Sequence, residues 1–266
     1  MTPRGAPVAT TKAFCVGQAK SGTASLYGLL RRHHRAAHEP ERERTLDLIL
    51  REARGELDQH SIRDELEQRD QRLSLDYDIA WANQFLLDHL LTVFPDATFI
   101  VLIRDPYTWL QSMVGHLISR QIPPDVRAFL DWWFKPAQYP HSSHDRVLET
   151  HGVYSIEAYA RAWNRHVKHC TQVIPPTRRL ILKTHAIKRS HRQIADFLKI
   201  PEESLDAGSG HLNRSTWKER LDSLVDRAYL EEVVGSVCGD TLTLYFPEVA
   251  GIPDTCRLSE PAPKPS

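Results

Sequence analysis

Short apolar runs alternate along the chain with longer segments whose apolar residues recur at helical spacing. Residues 13–16 (AFCV) form a compact apolar run ending at Gly17, the pattern of a buried strand. Residues 17–23 (GQAKSGT) are a turn with two glycines, and Leu26, Leu29 and Leu30 then predict a helix over 24–34. Residues 35–72 are dense in charge. Leu46, Leu48, Ile49 and Leu50 suggest one helix there, and 62–69 another. Residues 73–76 (LSLD) read as a second short strand. Phe85, Leu86, Leu90 and Val93 predict a helix over 80–94, stopped by Pro95. The strongest strand is 98–103 (TFIVLI), apolar on both faces as a central parallel strand should be. Asp105-Pro106 starts the next helix, which runs to about Arg120.

Residues 121–150 read as irregular and aromatic, with Trp132, Trp133, Phe134 and Tyr139 lining an acceptor pocket, forming a lid, or simply packing. A long helix over 154–173, a strand at 179–183 (RLILK), a short helix over 191–198, a polar loop at 206–216 and a last helix over 217–238 complete the pattern. This alternation predicts an α/β fold, a central parallel β-sheet flanked by helices on both faces. No repeat or long linker divides the chain, which suggests a single domain over 1–266 with flexible ends at 1–11 and 257–266.

Composition narrows the function. Lys+Arg and Asp+Glu both count 34, and this zero net charge argues against a general nucleic-acid binder while leaving room for one basic pocket. The 41% hydrophobic and 26% charged content excludes disorder over most of the chain. No apolar run is long enough for an integral membrane segment, and the N-terminus lacks a signal-type stretch. Cys15, Cys170, Cys238 and Cys256 form no CxxC pair and fit no zinc spacing. The expectation is a cytoplasmic protein with reduced thiols.

The glycine turn at 17–23 is the first candidate for chemistry. A strand running into a glycine loop and a helix presents free backbone N–H groups and the positive end of the helix dipole to an anion. Lys20 adds a full charge, and Ser21, Thr23 and Ser25 add hydroxyls. A nucleotide-hydrolysing loop, G-x-x-x-x-G-K-[ST], places its lysine after the second glycine and a magnesium-binding hydroxyl after the lysine. Here Lys20 precedes Gly22, so that arrangement is not reproduced. A glycine turn with a solvated lysine is the plainer alternative. Arg104 ends the 98–103 strand, at the sheet edge where open α/β sheets bind ligands, and Ser112 follows eight residues later.

The segment Gly17–Thr23, with its Lys-Ser-Gly-Thr centre, resembles the 5′-phosphosulfate loop of the sulfotransferase family, and TFIVLIRDPYTWLQS resembles that family's 3′-phosphate segment. Gln18-Ala19 before the lysine and Ala24-Ser25 after the threonine depart from the usual P-K-S-G-T-T pattern. The resemblance spans most of 13–220. It implies a P-loop-like sulfotransferase fold and 3′-phosphoadenosine 5′-phosphosulfate as co-substrate, with Gln18, Ala19, Lys20, Ser21, Gly22, Thr23, Ala24 and Ser25 around the 5′-phosphate. Arg104 and Ser112 would grip the 3′-phosphate, for which the planar arginine fork is suited, and Asn213, Arg214 and Ser215 would close over the adenosine.

Sulfuryl transfer requires in-line geometry, stabilisation of the leaving oxygen and a base for the acceptor hydroxyl. Lys20 suits the leaving oxygen, and this scheme requires no metal. Glu39, in His38-Glu39-Pro40-Glu41, is the first candidate base by resemblance, with Glu41 an alternative and Asp76 the second choice; His38 and His116 lie outside the scheme. The HxxH at 141–144 lacks further ligands and reads as a polar loop. The expected acceptor is a small molecule or a glycan or lipid, attacked at a hydroxyl, less favourably at an amine. Rival readings are a P-loop-type small-molecule kinase using ATP–magnesium and a binding protein that has lost the chemistry.

Overall fold

The computed structural model describes residues 12–208, 217 and 219–252. Its strands are β1 (Ala13–Cys15), β2 (Ala36–His38), β3 (Tyr77–Ile79), β4 (Thr98–Ile103) and β5 (Arg179–Lys183). Its α-helices are α1 (Thr23–Leu30), α2 (Arg42–Ala53), α3 (Gln59–Leu73), α4 (Leu87–Val93), α5 (Pro106–Ile118), α6 (Pro124–Phe134), α7 (Arg146–Thr150), α8 (Ile156–Val173), α9 (His191–Leu198) and α10 (Arg227–Tyr245). The strands form one sheet in the order β2-β3-β1-β4-β5, every neighbouring pair parallel.

β4 explains why the sheet needs helices around it. Ile100 and Leu102 point to one face, where they join Leu26, Leu29 and Leu30 of α1 and Ile194 and Leu198 of α9. Phe99, Val101 and Ile103 point to the other face and are equally buried, with Phe14 stacked on Phe99. The connection after β1 leaves toward β2, and the one after β4 leaves toward β5. The border between β1 and β4 is therefore a topological switch point, and ligands of open α/β sheets bind outside the carboxyl ends of such strands.

The described chain divides into two compact units. The first holds 12–104, 123–133 and 165–208, and with them the whole sheet. The second holds 105–122, 134–164, 217 and 219–252. In the second, Tyr159 packs edge-on against Trp109 and Phe134. The buried Asp145 carboxylate accepts from Ser142 N, Ser142 Oγ and Ile156 N and so organises the 141–145 loop. His141 Nε2 contacts the Val153 carbonyl at 2.9 Å and the His144 ring stacks on Tyr229, so both histidines of the HxxH serve packing.

Several elements differ from the sequence pattern. Residues 73–76 are no strand. Leu73 closes α3, and β3 begins at Tyr77 once Ser74 turns the chain in a left-handed conformation. The expected helix over 80–94 divides into a 3₁₀ turn at Trp81–Phe85 and α4. β2 carries no pattern of its own and exists through its pairing with β3. The 121–150 stretch contains α6 and α7, and the last helix begins at Arg227, where Asp226 caps the Tyr229 N–H, and runs to Tyr245. Cys15, Cys170 and Cys238 are buried free thiols. No helix of the described residues is long and apolar enough to cross a membrane.

Candidate active site

The loop between β1 and α1 is held in a shape that few sequences tolerate. Lys20 has φ +70° and Gly22 φ +106°. A Cβ on Gly22 would lie 2.7 Å from Ile187 Cδ1, and one on Gly17 2.6 Å from Ser21 Oγ and 2.7 Å from Leu102 Cβ. Gly17 is required by space, against the fixed Leu102 Cβ, and Gly22 by its left-handed conformation. Ser21 is buried, and both its N–H and its hydroxyl donate to the Gln18 carbonyl (3.1 and 2.6 Å). Ser21 thus closes the turn from within.

Two residues from neighbouring strand ends hold the loop's carbonyls. Arg104, just beyond β4, donates from Nη1 to the Lys20 carbonyl at 3.1 Å. Thr184, just beyond β5, donates to the Ser21 carbonyl at 2.6 Å and lies 3.1 Å from the Ile103 carbonyl. A planar trans peptide then turns the Gly22 N–H to the opposite side. No side chain caps the first turn of α1, and no acidic residue lies in it. The opening amides of α1 and the Gly22 N–H make a cradle suited to a phosphate or sulfate oxygen.

At the end of β2 the chain makes a second strained turn. Glu39 and Glu41 both have positive φ, 54° and 50°. Glu39 N–H donates to the Ile79 carbonyl, and Glu39 Oε1 accepts from the Trp81 N–H at 3.3 Å. Its other carboxyl oxygen is buried without a hydrogen-bond partner. Burial pushes the Glu39 pKa up to about 7, with the Asp78 charge adding to the rise and the Trp81 N–H opposing it. Glu41 is the contrary case. Arg72 grips it through two nitrogens and holds its pKa below the ordinary value. Glu39, Glu41, Arg42, Glu43 and Arg44 line an open cavity of about 550 Å³, enough for a small molecule.

A buried ion pair fastens this turn. Arg69 on α3 pairs with Asp78 of β3, both almost fully enclosed, and its Nη2 donates to the Pro40 carbonyl at 3.2 Å. Asn83 Nδ2 bridges Asp78 Oδ1 and the Cys15 carbonyl. The turn bearing Glu39 is thereby tied to β3 and to the end of β1, the strand that leads into the lysine loop.

The model of the sulfotransferase domain family matches residues 12–205. This chain belongs to the sulfotransferase domain family. A sulfotransferase from Alicyclobacillus acidocaldarius has a similar solved structure, with a TM-score of 0.52 at 19% identity, covering 89% of this chain and 96% of that one. The sulfotransferase domain of the curacin biosynthetic pathway aligns with a TM-score of 0.44 at 12% identity, covering 87% of this chain and 97% of its own. That of the Synechococcus PCC 7002 olefin synthase gives 0.41 at 16%, covering 87% and 94%. No curated protein matches significantly. The family and the parallel sheet with helices around it support sulfuryl transfer by a P-loop-like fold.

Within this sulfotransferase domain the residues expected from the sequence fall into three groups. Gln18, Ala19, Lys20, Ser21, Gly22, Thr23, Ala24 and Ser25 form the β1–α1 loop and first helical turn, with Arg104 at the loop's edge. His38 ends β2, which β3 separates from β1, and Glu39 follows it; His38 Nε2 lies 3.1 Å from Thr23 Oγ1. Asp76 is not brought there. It precedes β3, at the amino edge of a sheet whose other candidates follow their strands, and its carboxylate accepts from Arg35 N, Nε and Nη2. Ser112 is buried on α5 and His116 lies on the same helix, both in the second unit. Asn213, Arg214 and Ser215 lie outside the described residues.

The expected aromatic group also divides. Trp132 and Trp133 pack with Phe85, and Trp133 stacks on Trp81 at 5.6 Å, the residue whose amide holds Glu39. Phe134 packs with Tyr154 and Tyr159, and Tyr139 lies under Arg161. Sequence reasoning missed Thr184, Arg69, Asp78 and Asn83. Thr184 follows a strand end, the rule that singled out Arg104. Arg69 sits in register with the buried Ile62 and Leu66, and a charge at a core-facing helical position was the available signal.

Proposed function

We propose that this protein transfers a sulfuryl group from 3′-phosphoadenosine 5′-phosphosulfate to a hydroxyl of a small acceptor by in-line displacement. The observation that carries the reading is the convergence at one sheet edge of the uncapped Lys20 loop, braced by Arg104, with a carboxylate whose pKa lies near 7. The opening amides of α1 have no side-chain cap and no acidic neighbour in the first turn, so the field at the loop is positive. Arg104 serves the nucleotide's phosphate end as well as the loop.

Each residue has a definite part. The Gly22, Thr23 and Ala24 amides bind the 5′-phosphate. The Lys20 ammonium neutralises the bridging oxygen as its bond to sulfur breaks and that oxygen takes the electron pair. Glu39 accepts the acceptor's hydroxyl proton as the new sulfur–oxygen bond forms, then releases it to solvent. A base with a pKa near 7 is substantially ionised at neutral pH and still basic enough to take that proton. The cavity beside Glu39 receives the acceptor, and the Trp81 N–H holds one oxygen of the carboxylate.

Calorimetry with adenosine 3′,5′-bisphosphate tests this reading, with ATP–magnesium as the competing ligand. The bisphosphate is expected to bind with a dissociation constant below about 100 µM and without magnesium. Magnesium-dependent ATP binding with no bisphosphate binding would overturn the proposal in favour of a kinase.

A further inference from the structure

His38, the last residue of β2, stands between the two halves of the site. Its Nε2 lies 3.1 Å from Thr23 Oγ1, the hydroxyl on the first residue of α1, and 3.6 Å from Glu39 Oε1. Its ring packs against Tyr27, with centroids 5.7 Å apart. Burial lowers its pKa below the ordinary histidine value, so near neutral pH the ring is uncharged and one nitrogen carries the proton.

The neighbours decide which nitrogen that is. An ionised Glu39 only accepts, so a bare Nε2 lone pair facing Oε1 is repelled, whereas a protonated Nε2 is attracted by both oxygens. Nε2–H therefore donates to Thr23 Oγ1 at ordinary hydrogen-bond length, with Glu39 Oε1 as the more distant charged partner. Thr23 has then accepted a hydrogen bond, and its own O–H is directed to another acceptor. It opens α1 beside amides that no side chain caps.

We propose that His38 is a positioning residue that sets both ends of the reaction at once, its Nε2–H making the Thr23 hydroxyl a donor to the nucleotide's phosphate while holding the Glu39 carboxylate in place. This rests on the reading of 17–25 as the donor loop and Glu39 as the base. His38 keeps its proton throughout, and Glu39 alone takes the acceptor's.

The test compares His38→Phe with His38→Gln. Phenylalanine fills the ring's space and keeps the contact with Tyr27 but has no N–H, whereas the glutamine amide nitrogen reaches the Nε2 position. His38→Phe is expected to weaken adenosine 3′,5′-bisphosphate binding about five- to tenfold and to lower kcat by at least as much. His38→Gln is expected to recover most of both. Adding Thr23→Val to His38→Phe is expected to cost no further nucleotide affinity, because the hydroxyl has already lost its orientation. Should His38→Phe fail to fold, His38→Asn, whose shorter amide does not reach, takes its place. Wild-type affinity and kcat in the variant lacking the donor, a glutamine variant that falls equally far, or fully additive losses with Thr23→Val would each overturn the proposal. Failure of the unsubstituted protein to bind the bisphosphate counts instead against the donor reading, and is seen before any substitution is made.

Discussion

The Arg104 guanidinium donates to the Lys20 carbonyl at 3.1 Å, across 84 residues of chain. The two cations that the sequence placed on separate motifs meet through backbone, and the contact fixes a lysine in a left-handed conformation uncommon for a residue with a side chain. Arg104→Lys keeps the charge but loses the fork. It is expected to weaken adenosine 3′,5′-bisphosphate binding about tenfold, and Arg104→Ala more, as read by calorimetry.

Lys20→Ala removes the charge proposed to act on the leaving oxygen and leaves the Arg104 contact with the loop in place, since it runs through the backbone carbonyl. Loss of kcat by about 100-fold or more is expected, the scale of removing one preorganised electrostatic group. The melting temperature should move by only a few degrees.

Glu39 has its pKa raised by burial to about 7. A base acts when ionised, so kcat/KM should rise with pH through about 7 and then level off. Glu39→Gln should abolish that limb and cost about 100-fold or more in kcat. The folded state binds the Glu39 proton more tightly than the unfolded chain does, so this group's contribution is full at acid pH and is lost as pH rises toward 7. Glu39→Gln should therefore melt higher than the wild type at pH 8, and the difference should close near pH 4.5.

Arg69 and Asp78 are both buried. Removing one partner strands the other charge, so Asp78→Asn or Arg69→Met should destabilise the fold by about 3–5 kcal/mol in denaturant titrations. Because Arg69 also holds the Pro40 carbonyl, surviving protein should show a displaced Glu39 limb in its pH–rate profile.

Asp76 lies at the opposite sheet edge on Arg35, which is largely exposed. Asp76→Asn should leave kcat/KM within about twofold and lower the melting temperature only slightly, because the Arg35 side of the pair is exposed to solvent. A large loss of turnover without loss of stability would return Asp76 to the list of candidate bases.

The candidate site was legible in part because some of its parts are local. A strand, a glycine turn and a helix are adjacent in sequence, and TFIVLI announces a central strand by being apolar at every position but its first. The strand expected at 73–76 lies instead at Tyr77–Ile79, because three-residue strands carry too little pattern to fix where they begin. A shift of a few residues there moves a carboxylate from one sheet edge to the other. β2 and the 3₁₀ turn at Trp81–Phe85 were invisible for the same reason, since pairing with β3 and packing against α6 define them.

By itself, then, the sequence determined the α/β class, the lysine loop, the arginine at a strand end and the short list of carboxylates. Each follows from the spacing and type of neighbouring residues. Tertiary structure alone distinguished the surroundings of the carboxylates, burying Glu39 beside an open cavity and setting Glu41 on Arg72 and Asp76 on Arg35. It alone supplied Thr184, Asp78 and Arg69 as braces. The physical reason is that a carboxylate's basicity depends on the solvent and charges around it, and those are set by residues brought from elsewhere in the chain.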